Sequence, residues 1–95
     1  MNRYELLTIF SASLTDEQKE SVTAKYIQLI ESNNGKMQVV NKWGVKKLAY
    51  PINYKKDGYY VLFEFDSLPN VPKIVNDLMR IDEAVIRSFC LKKEA

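Results

Sequence analysis

Hydrophobic positions along the chain switch between a period of two and a period near 3.6, which divides it into short strands and two helices. Residues 3–10, RYELLTIF, read as a strand with Tyr4, Leu6, Thr8 and Phe10 on one parity and Arg3, Glu5, Leu7 and Ile9 on the other. Thr15 followed three residues later by Gln18 has the spacing of a helix capping box, and Asp16 and Glu17 suit the positive end of a helix dipole. Val22, Tyr26, Leu29 and Ile30 then recur at helical spacing, and Asn33-Asn34-Gly35 ends the run. Residues 36–52 read as one long strand bent near Gly44, with Pro51 marking an edge position because it lacks an N–H. Asp57-Gly58 predicts a hairpin turn leading into the strand YYVLFEF at 59–65. Pro69 to Pro72 open a second helix whose buried side is expected from Val71, Val75 and Leu78, with Ile74 and Met79 beside them. Asp82-Glu83-Ala84 leads to a last strand, VIRSFCL at 85–91, followed by a short polar end.

The order strand, helix, strand, strand, helix, strand predicts an α+β fold of the ferredoxin-like βαββαβ type. Its four-stranded antiparallel sheet would carry both helices on one face, since each right-handed crossover returns to the same side. No repeat, low-complexity tract or linker interrupts residues 1–95, so a single domain is expected. Two helices on one side leave the other sheet face open. On the third strand the set containing Glu64 should face outward, which also exposes Tyr60 and Leu62. On the last strand, an outward Arg87 takes Phe89 and Leu91 with it, and on the first strand Arg3 and Glu5 carry Leu7 and Ile9. An apolar patch rimmed by charge suits docking of a protein.

Charge changes the picture through its placement. The 95 residues sum to only +2, yet residues 36–56 hold Lys36, Lys42, Lys46, Lys47, Lys55 and Lys56 and no acid. The rest of the chain carries eight basic and twelve acidic residues. These lysines, interleaved with Trp43, Tyr50 and Tyr54, suit a polyanion: lysine neutralises phosphate, and exposed aromatics stack on unpaired bases. They equally suit an edge strand kept soluble and discouraged from pairing with its own kind. The RNA-recognition module shares the same element order, but its signature fails here. Asp57 stands at its basic position and Tyr60 at its small one, although Gly58 and Tyr59 match.

Candidate chemistry is sparse. The absence of histidine removes the commonest general base and zinc ligand, and Cys90, the one cysteine, has no partner for a disulfide or a metal. The three glycines are isolated and form no phosphate-cradling loop. The N-terminus lacks the layout of a secretory signal, and no apolar run approaches the ~20 residues that span a bilayer. A cytosolic protein without cofactor, metal or membrane contact is expected.

The segment Trp43-Gly44-Val45-Lys46-Lys47-Leu48-Ala49-Tyr50-Pro51-Ile52 resembles the signature of the bacterial small-subunit ribosomal protein six family. The likeness extends to Arg3-Tyr4-Glu5, to Gly58-Tyr59-Tyr60, and to Arg80-Ile81-Asp82-Glu83 leading into Val85-Ile86-Arg87. The resemblance implies a ferredoxin-like fold and a structural role in the small ribosomal subunit, in assembly and in translation. It also implies two partners, the central domain of small-subunit ribosomal RNA and, as a heterodimer, small-subunit protein eighteen. No small-molecule substrate is implied. Combined with the patterning, the expected phosphate contacts are Lys46 and Lys47, with Lys42, Lys55, Lys56 and Arg3 as lesser ones, and Trp43 and Tyr50 as candidate stacking residues. The expected protein interface is Tyr60, Leu62, Arg87, Phe89 and Leu91. Two competing readings are an acylphosphatase-like enzyme, which lacks its anion loop here, and an effector-binding domain that dimerises through the open face.

Overall fold

The computed structural model describes residues 2–52 and 55–93. Strands β1 (Asn2–Ser11), β2 (Lys36–Ile52), β3 (Lys55–Ser67) and β4 (Val85–Lys93) alternate with helices α1 (Asp16–Ser32) and α2 (Asn70–Ile81) in the order β1-α1-β2-β3-α2-β4. The strands form one antiparallel sheet in the order β2-β3-β1-β4, which is the ferredoxin-like arrangement. Helix α1 opens on the expected capping box: the Gln18 N–H donates to Thr15 Oγ1 at 3.1 Å, and the Thr15 N–H donates to Gln18 Oε1 at 2.9 Å. At its other end the left-handed residue is Asn34, at φ 63°. Gly35 is needed there for close approach, since a Cβ on it would lie 2.7 Å from the Ile30 carbonyl oxygen.

One parity of each inner strand faces the helices. Tyr4, Leu6 and Phe10 of β1 and Tyr59, Val61, Phe63 and Phe65 of β3 pack with Tyr26, Ile30, Val71, Val75 and Met79 as the core. On α2 the buried arc differs from the expected one. Val71, Pro72, Val75 and Met79 are buried, whereas Leu78 is exposed. At about 100° per residue the first four share one arc and Leu78 falls outside it, so the buried face is rotated toward Pro72 and Met79.

Asp57-Gly58 is not the turn of the β2–β3 hairpin. Both residues lie within β3, paired with Lys47 and Lys46, and pairing continues to Ile52 with Lys55. Glycine is required at 58 by packing on the open side of the sheet: a Cβ there would sit 2.3 Å from Ile9 Cγ2 and 3.4 Å from Leu48 Cδ2. Ile9 and Leu48 close over this spot and are only 5% and 8% exposed. Ile9 therefore leaves the exposed apolar patch expected for the open face.

Candidate nucleic-acid and protein interface

Register places the outward residues of all four strands in rows. Leu7 of β1 lies between Phe89 of β4 and Leu62 of β3, and Leu62 pairs with Asn41 of β2. One row along, Ile9 lies between Arg87 and Tyr60, and Tyr60 pairs with Gly44. In the opposite direction, Glu5 lies between Leu91 and Glu64, and Glu64 pairs with Val39. The five residues singled out for protein docking, Tyr60, Leu62, Arg87, Phe89 and Leu91, thus share the helix-free face. Phe89 and Leu91 at its β4 edge are 47% and 65% exposed. The Arg87 guanidinium lies 5.4 Å from the Phe89 ring centre, so charge and apolar surface are continuous there.

The carboxylates of this face are engaged by cations. Lys93 reaches Glu64 at 2.7 Å and Glu5 at 3.4 Å, and the Glu64 contact raises the Lys93 pKa. Arg3 grips Asp66 with both arms, Nε donating at 2.9 Å and one terminal nitrogen at 3.2 Å. That fork holds the Asp66 carboxyl below its ordinary range, helped by a 3.0 Å hydrogen bond from Gln38. Arg3, a candidate phosphate contact, is thereby paired in this structure.

The lysine-rich segment is distributed over both sides of the sheet. Lys42 pairs with Val61, whose side chain is in the core, and its ammonium contacts Glu20 of α1 at 2.6 Å. The Glu20 hydrogen bond raises the Lys42 pKa. Beyond Lys42 the ladder shifts at Gly44, which takes φ +87°, a left-handed conformation that glycine adopts without a Cβ clash. The extra residue of this bulge is Trp43. Its indole stacks on Tyr60 with ring centroids 6.3 Å apart and 10° between planes, so Trp43 joins the open face. Lys46 pairs with Gly58 on that face and holds its ammonium 5.1 Å from the Trp43 ring centre. Lys47 pairs with Asp57 on the opposite parity. Lys56 is exposed on β3. The side chains of Tyr50 and Lys55, and the whole of Tyr54, lie outside the described residues.

Sequence patterning separated a basic segment from an apolar face, whereas here Trp43 and Lys46 belong to the face itself. The signal that bears on this is Gly44, an isolated glycine in a strand pattern, because a bulge reverses parity beyond it. Val39, exposed beside Glu64, is a further open-face residue that the parity of β1, β3 and β4 alone does not reveal. Among the described residues no group of His, Cys, Asp and Glu could hold a metal ion, and no helix is long and apolar enough to cross a membrane.

Comparison with known proteins adds what geometry does not. The family model for Ribosomal protein S6 matches residues 3–92. The small ribosomal subunit protein bS6 of Clostridium novyi is 36% identical over 94 residues, which cover 99% of each chain. The crystal structure of 30S ribosomal protein S6 from Thermotoga maritima superposes with a TM-score of 0.92 at 22% identity, covering 97% of this chain and 87% of that one. The C-terminal domain of the MgtC protein from Mycobacterium tuberculosis reaches a TM-score of 0.67 at 12% identity, covering 99% of this chain and 89% of that one. Since such a fold recurs with unrelated roles, the fold does not choose among functions, and the match over nearly the whole sequence does. Its relatives are structural ribosomal proteins, which sets aside the acylphosphatase-like and effector-binding readings. The chain belongs to the ribosomal protein S6 family of the small ribosomal subunit.

Proposed function

We propose that this protein binds the central domain of small-subunit ribosomal RNA together with small-subunit protein eighteen, in the cytoplasm, and so supports subunit assembly and translation. The observation that carries the proposal is the helix-free sheet face, where apolar residues from all four strands stand exposed or half-exposed beside cations. A soluble monomer gains nothing by keeping Phe89 and Leu91 in water, and a partner that covers them removes that apolar area. Tyr60, Leu62, Arg87, Phe89 and Leu91 dock protein eighteen. Lys46 and Lys47, with Lys42, Lys55 and Lys56 as lesser contacts, neutralise phosphates along the β2–β3 ribbon. Arg3 of β1 is a further lesser contact, and Trp43 and Tyr50 are the aromatic positions of the ribbon. The two proteins then present one composite surface to the folded RNA.

Leu62 lies in the middle of this face, half-buried between Leu7 and Asn41. Leu62→Asp puts a charge where the interface must be dry, so heterodimer formation with protein eighteen, measured by calorimetry, weakens at least about tenfold while the isolated fold persists by circular dichroism. Wild-type pairing affinity in a folded Leu62→Asp chain contradicts the docking assignment.

A further inference from the structure

The end of the open face at Trp43 differs chemically from the end at Glu64. Its two rings are nearly parallel, Trp43 remains 41% exposed, and the Lys46 ammonium stands against the indole. The carboxylates described on this face, Glu5, Glu64 and Asp66, lie toward the opposite end and are held by Lys93 or Arg3. Tyr60 and Glu64 are four residues apart on β3, roughly 13 Å of extended chain. The corner thus presents a flat aromatic surface and a cation, with acid kept away from both.

We propose that this corner holds one unpaired RNA base, stacked on Trp43 as a third layer over Tyr60, with Lys46 turned from the indole to the neighbouring phosphate. The inference rests on the RNA-binding reading above and deepens it by naming the residue and the state of the nucleotide. Stacking fits because every base has a π face, so a flat ring pair accepts a base without demanding a sequence. A paired base inside a duplex cannot offer that face, so the site selects single-stranded or bulged RNA. A cationic side chain from a protein could also stack on an indole, but here it would meet Lys46 at short range. An anion-bearing ligand gains from the same lysine. The Gly44 bulge does the positioning, since it turns Trp43 onto the open face beside Tyr60.

Trp43 is the only tryptophan of the chain, so its fluorescence reports this corner directly. The full chain is titrated with a single-stranded oligouridylate, with a duplex RNA at the same phosphate concentration, and with a central-domain ribosomal RNA fragment followed by both emission and gel shift. The single strand quenches Trp43 and the duplex quenches it far less. Trp43→Leu weakens oligonucleotide binding about 5- to 100-fold, and Trp43→Phe restores most of the loss. Lys46→Ala lowers the salt slope for the single strand by roughly 0.7. Equal quenching by duplex overturns the proposal, as does unchanged oligonucleotide affinity in a Trp43→Leu chain that folds. A ribosomal RNA fragment that never shifts defeats the RNA-binding reading itself, whereas a shift with unaltered Trp43 emission defeats only the stacking site. Emission that responds to a protein partner and not to RNA assigns the corner to the protein interface and overturns the stacking site as well.

Discussion

Two adjacent lysines meet different surroundings because a strand turns successive side chains to opposite faces. Lys46 shares the open face with Trp43, while Lys47 points to the other parity beside Asp57. Lys42 and Arg3 are engaged by Glu20 and Asp66, and such exposed pairs are worth little, so phosphate can replace either carboxylate only in exchange for a contact already made. Single alanine substitutions rank accordingly in a filter-binding salt titration. Lys46→Ala and Lys47→Ala each reduce the slope of log K against log salt by roughly 0.7 to 0.9, and Lys42→Ala and Arg3→Ala reduce it by less. Equal slopes for all four contradict the ranking. The density of lysine is legible in the sequence, since six fall within residues 36–56. Their directions are not, because the inserted residue Trp43, just before Gly44, resets parity and only the pairing with β3 shows where it does so.

Elements are more legible than side-chain directions. The Thr15–Gln18 cap, the order of elements and the outward sets on β1, β3 and β4 follow from short-range rules: hydrogen bonding at a helix start, and alternation along a strand. Gly58 and Leu78 are misleading for the opposite reason, since long-range packing decides them. Ile9 and Leu48 reserve the space at Gly58, and the arc around Pro72 and Met79 turns Leu78 outward. The β2 bulge makes a direct test of such a device. Gly44→Ala meets no atom within 4 Å, so its whole cost, about 1 kcal/mol, comes from the left-handed backbone and appears as a lower urea midpoint. The Trp43–Tyr60 stack loosens with it.

A second test concerns the join between α1 and the α2–β4 connection. The Tyr26 hydroxyl donates to Asp82 at 2.6 Å, Lys25 reaches the same carboxylate at 3.2 Å, and the Ala84 N–H donates to its other oxygen at 2.9 Å. Burial pushes the Asp82 carboxyl up, but these three donors outweigh it and hold it below its ordinary 3.8. A carboxyl depressed on folding stabilises above its unfolded value and loses that contribution as pH falls through its folded one. Burial, followed by the contact with Asp82, raises the Tyr26 hydroxyl above its ordinary 10.0. Its contribution is complete below that value and is lost as pH rises through the folded one. Urea unfolding across pH should therefore show Asp82→Asn with a shallower loss below about pH 4, and Tyr26→Phe with a shallower loss above about pH 10. Variants that keep the wild-type slope on both limbs contradict this arrangement.

At the scale of the whole molecule, a net charge of +2 conceals two separations. The helix face is closed by a core that runs from Tyr4 to Met79, and the other sheet face carries no helix. Along that sheet face, the carboxylates near Glu64 are held by Lys93 and Arg3, and the aromatic end near Trp43 carries Lys46. A chain of this size has one modest core, so leaving a four-stranded face uncovered is a sizeable cost for the isolated protein, one that the proposed docking recovers. On the proposed reading, RNA and protein bind as linked events, each improving the other through a shared surface. The most direct measurement is a salt titration of this chain on central-domain small-subunit ribosomal RNA, run with and without protein eighteen and repeated with Leu62→Asp. Joint burial predicts that protein eighteen raises the RNA affinity of the wild-type chain, and that Leu62→Asp forfeits this gain while keeping the salt slope of the chain alone. RNA affinity that is the same with and without protein eighteen would contradict it.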